Sequence, residues 1–151
     1  ALVGTEGDGW MQATAELSLE RAGPERYLSS MLLLTELIRF AERHDSESLR
    51  ALVARFAADA WTLRLMSASV AGKIAQGQDP ALEATVVKDL GNTFEQALPE
   101  AVQAAAEVDP AGPEMLGLVL GNLLQISPSF SLRGGTREIL KGIIARGLGL
   151  R

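Results

Sequence analysis

Apolar residues recur at three- and four-residue spacing through most of the chain, and short runs of Gly, Pro, Asp and Ser cut that recurrence into segments. The pattern predicts amphipathic helices joined by turns. A first helix is expected from about Trp10 to Arg43, with Leu28, Met31, Thr35 and Ile38 on one stripe and Leu34, Leu37 and Ala41 widening it. Gly23-Pro24 falls inside it, and because proline lacks an N–H, the carbonyl of Glu20 should lose its usual partner at a kink or loosened turn. His44-Asp45-Ser46 is a short connection in which Asp45 or Ser46 caps a second helix running to about Gln76, where Gly77 stops it. Leu49, Leu52, Val53, Phe56, Ala60, Leu63, Val70 and Ile74 supply its buried face.

Asp79 is a natural N-cap and Pro80 suits a first helical position, so a third helix is predicted to run to about Val108. Its stripe is Leu82, Val86, Leu90, Phe94, Leu98, Val102 and Ala105, with a local bend at Pro99. The run Asp109-Pro110-Ala111-Gly112-Pro113 reads as a loop. Glu114 to Ile126 reads as a fourth helix in which Gly117 and Gly121 permit close approach of another backbone. Residues 127–131 are expected to be irregular. Gly134-Gly135 then frees the backbone, Thr136 starts a last helix, and Ile139, Leu140, Ile143 and Ile144 recur along it. Three helices of roughly 30 residues, each about 45 Å long, with short connections imply an all-α fold: an antiparallel up-down bundle of four main helices plus a C-terminal helix.

Composition narrows the function. With 151 residues, of which 47% are hydrophobic, the chain can bury one core. Asp and Glu number 19 against 14 Lys and Arg, the net charge is −5, and the basic residues are scattered. That distribution argues against a nucleic-acid partner. Cysteine is absent, which removes disulfides and thiolate chemistry and suits a cytoplasmic setting. His44 is the single histidine, so no metal site is expected, and its simplest place is a helix-helix corner. No apolar run long enough to span a bilayer is expected. Residues 1–9 carry Gly4, Gly7, Asp8 and Gly9 and read as a linker, and a start at Ala1 suits a cut fragment.

A Gly-Gly turn opening a helix can hold a phosphate, a carbonyl or a hydroxyl on free backbone N–H groups. On those residues alone the plainer reading, a flexible loop before a C-terminal docking helix, is favoured over an anion site. Glu16, Glu20, Arg21, Glu25 and Arg26 form a charged run that suits a solvated face, with Arg21 and Glu25 four apart as a surface pair. Trp10 and Trp61 read as core or interface aromatics.

Two segments carry a resemblance. Gly134-Gly135-Thr136-Arg137-Glu138-Ile139, followed by an apolar helix ending in Ala145-Arg146, resembles the closing segment of the acyl-CoA dehydrogenase family. Gly7-Asp8-Gly9-Trp10, then Leu17-Ser18-Leu19-Glu20-Arg21, is similar to that family's approach to its C-terminal helical domain. The resemblance implies that residues 10–151 form this domain, that 1–9 link it to an absent middle β domain, and that the fragment by itself is inactive. It implies oxidation of an acyl-CoA thioester to its trans-2-enoyl form, a carboxylate taking the α-proton while the β-hydride passes to FAD. Many members carry the base immediately before the closing Gly-Thr, where this chain has Gly134. Others, resembling the isovaleryl type, carry it in a Leu-Glu-Arg on the first helix, which matches Leu19-Glu20-Arg21.

Glu20 is therefore the candidate base, held partly desolvated beside the closing loop, and Gly134 offers its N–H to the thioester carbonyl. By the same resemblance Arg21 and Gly135 face the substrate, Thr136, Glu138 and Gln103 face FAD, and Lys88 matches a lysine common in the third helix. Two motifs depart from the family. Glu42-Arg43-His44-Asp45-Ser46 stands where an Arg-x-Ser/Thr-Phe-Gly is usual, and Gln103 is followed by Ala104-Ala105-Ala106 rather than a Gly-Gly pair. A catalytic homo-oligomer and a non-catalytic partner in a hetero-oligomer both remain open on this pattern.

Overall fold

The computed structural model describes residues 2–150, and the backbone only at Ser18; Ala1 and Arg151, one at each end of the expected segments, lie outside the described residues. Every described element is helical: α1 (Gly9–Glu20), α2 (Glu25–Leu28), α3 (Met31–Arg43), α4 (Glu47–Ala75), α5 (Ala81–Ala105), α6 (Met115–Ile126), a 3-10 helix (Ser127–Leu132) and α7 (Arg137–Gly147). The chain is all-α, as its periodicity predicts.

The expected first helix is broken into three pieces. At the first break, Gly23 N–H donates to the Glu20 carbonyl at 3.1 Å, closing the turn that Pro24 cannot continue. The Glu20 carbonyl is thus not orphaned, and it also accepts from Arg26 Nη2 at 3.4 Å. The second break, at Ser29-Ser30, has no proline. Ser29 Oγ turns back onto the Glu25 carbonyl at 2.9 Å, the side-chain competition that makes serine a poor helix interior. Breaking re-phases the apolar stripe. Leu33, Leu34, Leu37 and Phe40 are buried, Met31 and Ile38 sit at the edge of the core, and Leu28 is exposed.

Most of the remaining boundaries follow their signals. Ser46 accepts from Leu49 N–H and caps α4, while Gly77 takes the left-handed φ of 72° that ends it. Asp79 Oδ1 accepts from Ala81 N–H at 3.1 Å, but Pro80, not Asp79, is the N-cap, in a non-helical conformation with φ −92° and ψ 36°, so α5 starts at Ala81, one residue later than expected, and ends at Ala105, short of Val108. α4 and α5 are antiparallel: Lys73 pairs with Glu83 near one end, and Phe56 meets Phe94 edge-on further along. α7 runs antiparallel to the first half of α5, with Arg137 on Asp89 and Gly147 against Leu82.

α5 is the axis, touching α1, α2, α3, α4, α6, the 3-10 helix and α7. Its C-terminal half contributes Phe94, Leu98 and Val102 to the main core as expected, but Leu90 and Ala105 are exposed. From its N-terminal half to just past its middle the buried face also includes Thr85, Lys88, Gly91, Asn92 and Glu95. The expected stripe missed these because a helix with neighbours all round buries polar positions too. The main core joins Leu33, Phe40, Phe56, Leu98, Leu120, Phe130 and their neighbours, whereas a small cluster of Ala22, Val70, Ala84 and Val87 underlies the first break.

Contrary to the expectation that no run is long enough, Met115–Leu132 passes for a membrane span by length and composition. It is divided between α6 and the 3-10 helix, and Leu116, Leu120, Leu123 and Phe130 are buried in the core. Met115, Leu118, Ile126 and Leu132 of the same segment are exposed.

Candidate functional site

Sequence-distant residues meet at the first break. Residues 21–24 are pinned from two sides: Ser67 of α4 donates to the Ala22 carbonyl at 2.6 Å, and Arg26 Nε donates to the Arg21 carbonyl at 3.0 Å. The last residue of α1, Glu20, thereby projects toward the closing loop. There Gly134 and Gly135 take φ values of 69° and 116°, conformations that L side chains rarely adopt. A methyl group built on Gly134 would lie 2.7 Å from Glu20 Oε2, 3.5 Å from Lys88 Cε and 3.7 Å from Arg21 Cγ. The Glu20 carboxylate occupies the space into which any side chain at position 134 would project.

Arg21 does not form the surface pair with Glu25. It is buried, its Nε donates to the Gly134 carbonyl at 3.2 Å and its Nη1 reaches Thr85 Oγ1 at 3.5 Å, which fixes the Gly134-Gly135 peptide. Burial lowers its pKa and the nearby Glu20 carboxylate opposes that shift. The break sends Arg21 inward and leaves Glu25 to pair instead with Arg26 at 3.0 Å.

Behind the Glu20 carboxylate lies a buried charged layer. Arg26 is wholly buried and binds Glu20 Oε1 at 2.5 Å, while the Glu20 side chain itself is 43% exposed. Lys88 Nζ donates to Asn92 Oδ1 at 2.6 Å and to the Phe130 carbonyl at 2.9 Å. Burial first, and then the Arg26 cation, draw its pKa down to about 8. Arg133 reaches Glu95 Oε1 at 3.3 Å, and burial raises the Glu95 pKa against the pull of Arg133. Arg26 Nη1, Ser30 Oγ, Asn92 Nδ2, Glu95 Oε2 and Arg133 Nε have no protein partner among the described residues. Buried polar atoms of this kind are normally served by ordered water.

The other singled-out residues divide. Thr136 directly precedes α7, and Glu138 is exposed in its first turn, where its own backbone N–H and then the Thr136 hydroxyl lower its pKa. Gln103 is exposed near the other end of α5, about 20 Å along the helix from Lys88 by helical rise. It takes no part in this site. Trp10 and Trp61 are exposed rather than core, and His44 stacks on Phe40 with Nδ1 2.8 Å from the Phe40 carbonyl, in the corner between α3 and α4. Among the described residues no cluster of metal-ligating side chains is present. Lys88 and Gly134 stand out in the sequence, Arg26 is wholly buried where its charged run suits a solvated face, and Asn92 and Glu95 carry no sequence signal. A single chain gives no periodic sign of polar residues buried on a helix with neighbours on every side.

The family model for the acyl-CoA dehydrogenase C-terminal domain matches residues 7–149. The chain belongs to the acyl-CoA dehydrogenase family. No match was found among curated proteins or among solved structures. Within this acyl-CoA dehydrogenase domain, the opening Leu19-Glu20-Arg21 and the closing Gly134-Gly135 are brought together by the break before Pro24 and by the turn after the 3-10 helix.

Proposed function

We propose that this chain is the C-terminal helical domain of an FAD-dependent acyl-CoA dehydrogenase whose catalytic base is Glu20. The supporting observation is the exclusion at Gly134: the Glu20 carboxylate fills the space a side chain there would need. One carboxylate therefore serves the site from the first helix instead of from the closing loop. In this reading Glu20 accepts the α-proton of the thioester, and the Gly134 N–H donates to the thioester carbonyl as it gains negative charge. Arg21 holds the adjacent peptide still, so that the donor is oriented before substrate arrives.

This chain does not by itself make an FAD site. Glu138 places a carboxylate in the first turn of α7, where a phosphate would otherwise be drawn, Arg43 is paired with Glu114 at 3.1 Å, and Gln103 stands apart. The hydride acceptor belongs to parts of the parent enzyme outside this chain, and we read the isolated domain as inactive. The engagement of Arg43 also favours a second reading, a non-catalytic partner of an FAD-binding subunit.

Flavin bleaching on mixing the FAD-reconstituted parent with a panel of acyl-CoAs separates these readings. Glu20→Gln keeps the shape but cannot accept the proton, so reduction should slow by about a hundredfold or more. Equal rates for wild type and variant would place the base elsewhere. A wild type that bleaches with no substrate would hand the chain to the partner reading.

A further inference from the structure

Glu20 is not held by its own helix. It is the last residue of α1, its side chain is partly exposed, and its single ion-pair partner among the described residues is Arg26. Arg26 in turn is anchored without help from that carboxylate. Its Nε binds the Arg21 carbonyl at 3.0 Å, its Nη2 lies 3.0 Å from Glu25 Oε1, and its stem lies directly on α5. The contact with α5 is made at Gly91, where an added methyl would come within 2.8 Å of Arg26 Cβ and 3.0 Å of its carbonyl oxygen. A guanidinium fork so fixed presents a rigid donor edge, which an ammonium on a flexible stem does not.

We propose that Arg26, seated on the bare backbone of Gly91, is a positioning residue that holds the Glu20 carboxylate beside Gly134. The catalytic consequence rests on Glu20 being the base; the placement itself does not. A side chain at position 91 would push the α2 backbone off α5 and swing the guanidinium away, so Gly91 reaches the carboxylate through Arg26 although no contact joins the two. The polar atoms that face this guanidinium come from the end of α1, from Glu25 in α2, and from the charged side chains Lys88 and Glu95 of α5.

The test uses Arg26→Lys, which keeps the charge and loses the fork, and Gly91→Ala, which keeps Arg26 and disturbs its seat. In amide NMR spectra of this chain, both variants and Glu20→Gln should move the Gly134 and Gly135 resonances. If those resonances stay in place in both variants, Arg26 does not place the carboxylate and the proposal fails. Arg26→Lys, which adds no atom against α5, carries this arm should Gly91→Ala not fold. In the FAD-reconstituted parent, each variant should slow flavin reduction by about tenfold to a hundredfold, enlarge the isotope effect of α-deuterated acyl-CoA and leave substrate affinity unchanged. Slowing that comes wholly from weaker substrate binding, with an unchanged isotope effect, would overturn the positioning role. Glu20→Gln measured alongside keeps the two ideas apart, because an unimpaired glutamine variant removes the base while the amide resonances still decide the placement.

Discussion

Lys88 shows how far a single residue can depart from what its type suggests. Fully buried beside Arg26, Arg133, Glu20 and Glu95, it keeps its ammonium on Asn92 and the Phe130 carbonyl, and its pKa falls from 10.5 to about 8. Between those two values the unfolded chain binds a proton that the folded chain has released, so this residue makes stability rise with pH across that window and contributes its full penalty below it. Lys88→Met removes the dependence. Urea unfolding from pH 8 to 10.5 should show wild type gaining on the variant, by at most about 1.4 kcal/mol per pH unit; a constant difference would mean that Lys88 keeps its proton in the fold. Gly134 makes the opposite point, since it matters for what it lacks. Gly134→Ala must strain a φ of 69° and displace Glu20, so we expect a loss of roughly 1–3 kcal/mol in unfolding free energy together with slowed flavin reduction in the parent enzyme. A stable, fully active alanine variant would refute the exclusion argument.

At the scale of elements, glycines of equal propensity have unequal roles. On α6, a methyl at Gly117 would strike the Asp109 carbonyl and one at Gly121 would come within 2.5 Å of the Pro110 carbonyl, so the Asp109-Pro110 loop packs on bare helix backbone. Gly72 on α4 faces open space. Gly72→Ala should stabilise by about 0.5–1 kcal/mol through helix propensity, whereas Gly117→Ala and Gly121→Ala should each destabilise by about 1–3 kcal/mol through forced repacking. Thermal melts of the three variants check the contrast, and stabilisation by either α6 substitution would count against the loop packing. The close approach was legible from the four-residue spacing of the glycines. The identity of the approaching backbone was not, because either a neighbouring helix or the preceding loop satisfies the same spacing.

For the whole molecule, large side chains are left uncovered in quantity: Trp10, Met11 and Leu19 on α1, Trp61 and Leu65 on α4, and Leu132 and Ile139 around the closing loop. Apolar surface of this kind favours association. We predict a homodimer or larger oligomer in sedimentation equilibrium, and a clean monomer at high concentration would reject that expectation. The separation of Gln103 from Thr136 predicts weak cofactor capture by this chain alone. Calorimetric titration with FAD should show no submicromolar binding, since scattered contacts do not offset the immobilisation of a large cofactor.

Local chemistry determined much of this protein. Helical class, the cap at Ser46, the stop at Gly77 and the paired glycines before α7 are short-range effects of hydrogen bonding and φ preference, and they could be read from neighbouring residues. The proline break was readable in place but not in extent, because Ser29-Ser30 adds a second turn that propensity does not demand. Only the tertiary structure decided the direction in which the charged run after Glu16 would point. It sent Arg21 and Arg26 inward, left Glu25 at the surface and set Glu20 against Gly134. It also chose the polar face of α5 for burial. The physical reason is that a charged side chain is buried only where partners from other elements offset its desolvation, and the partners of Arg21, Lys88 and Glu95 include residues 113, 42 and 38 positions away.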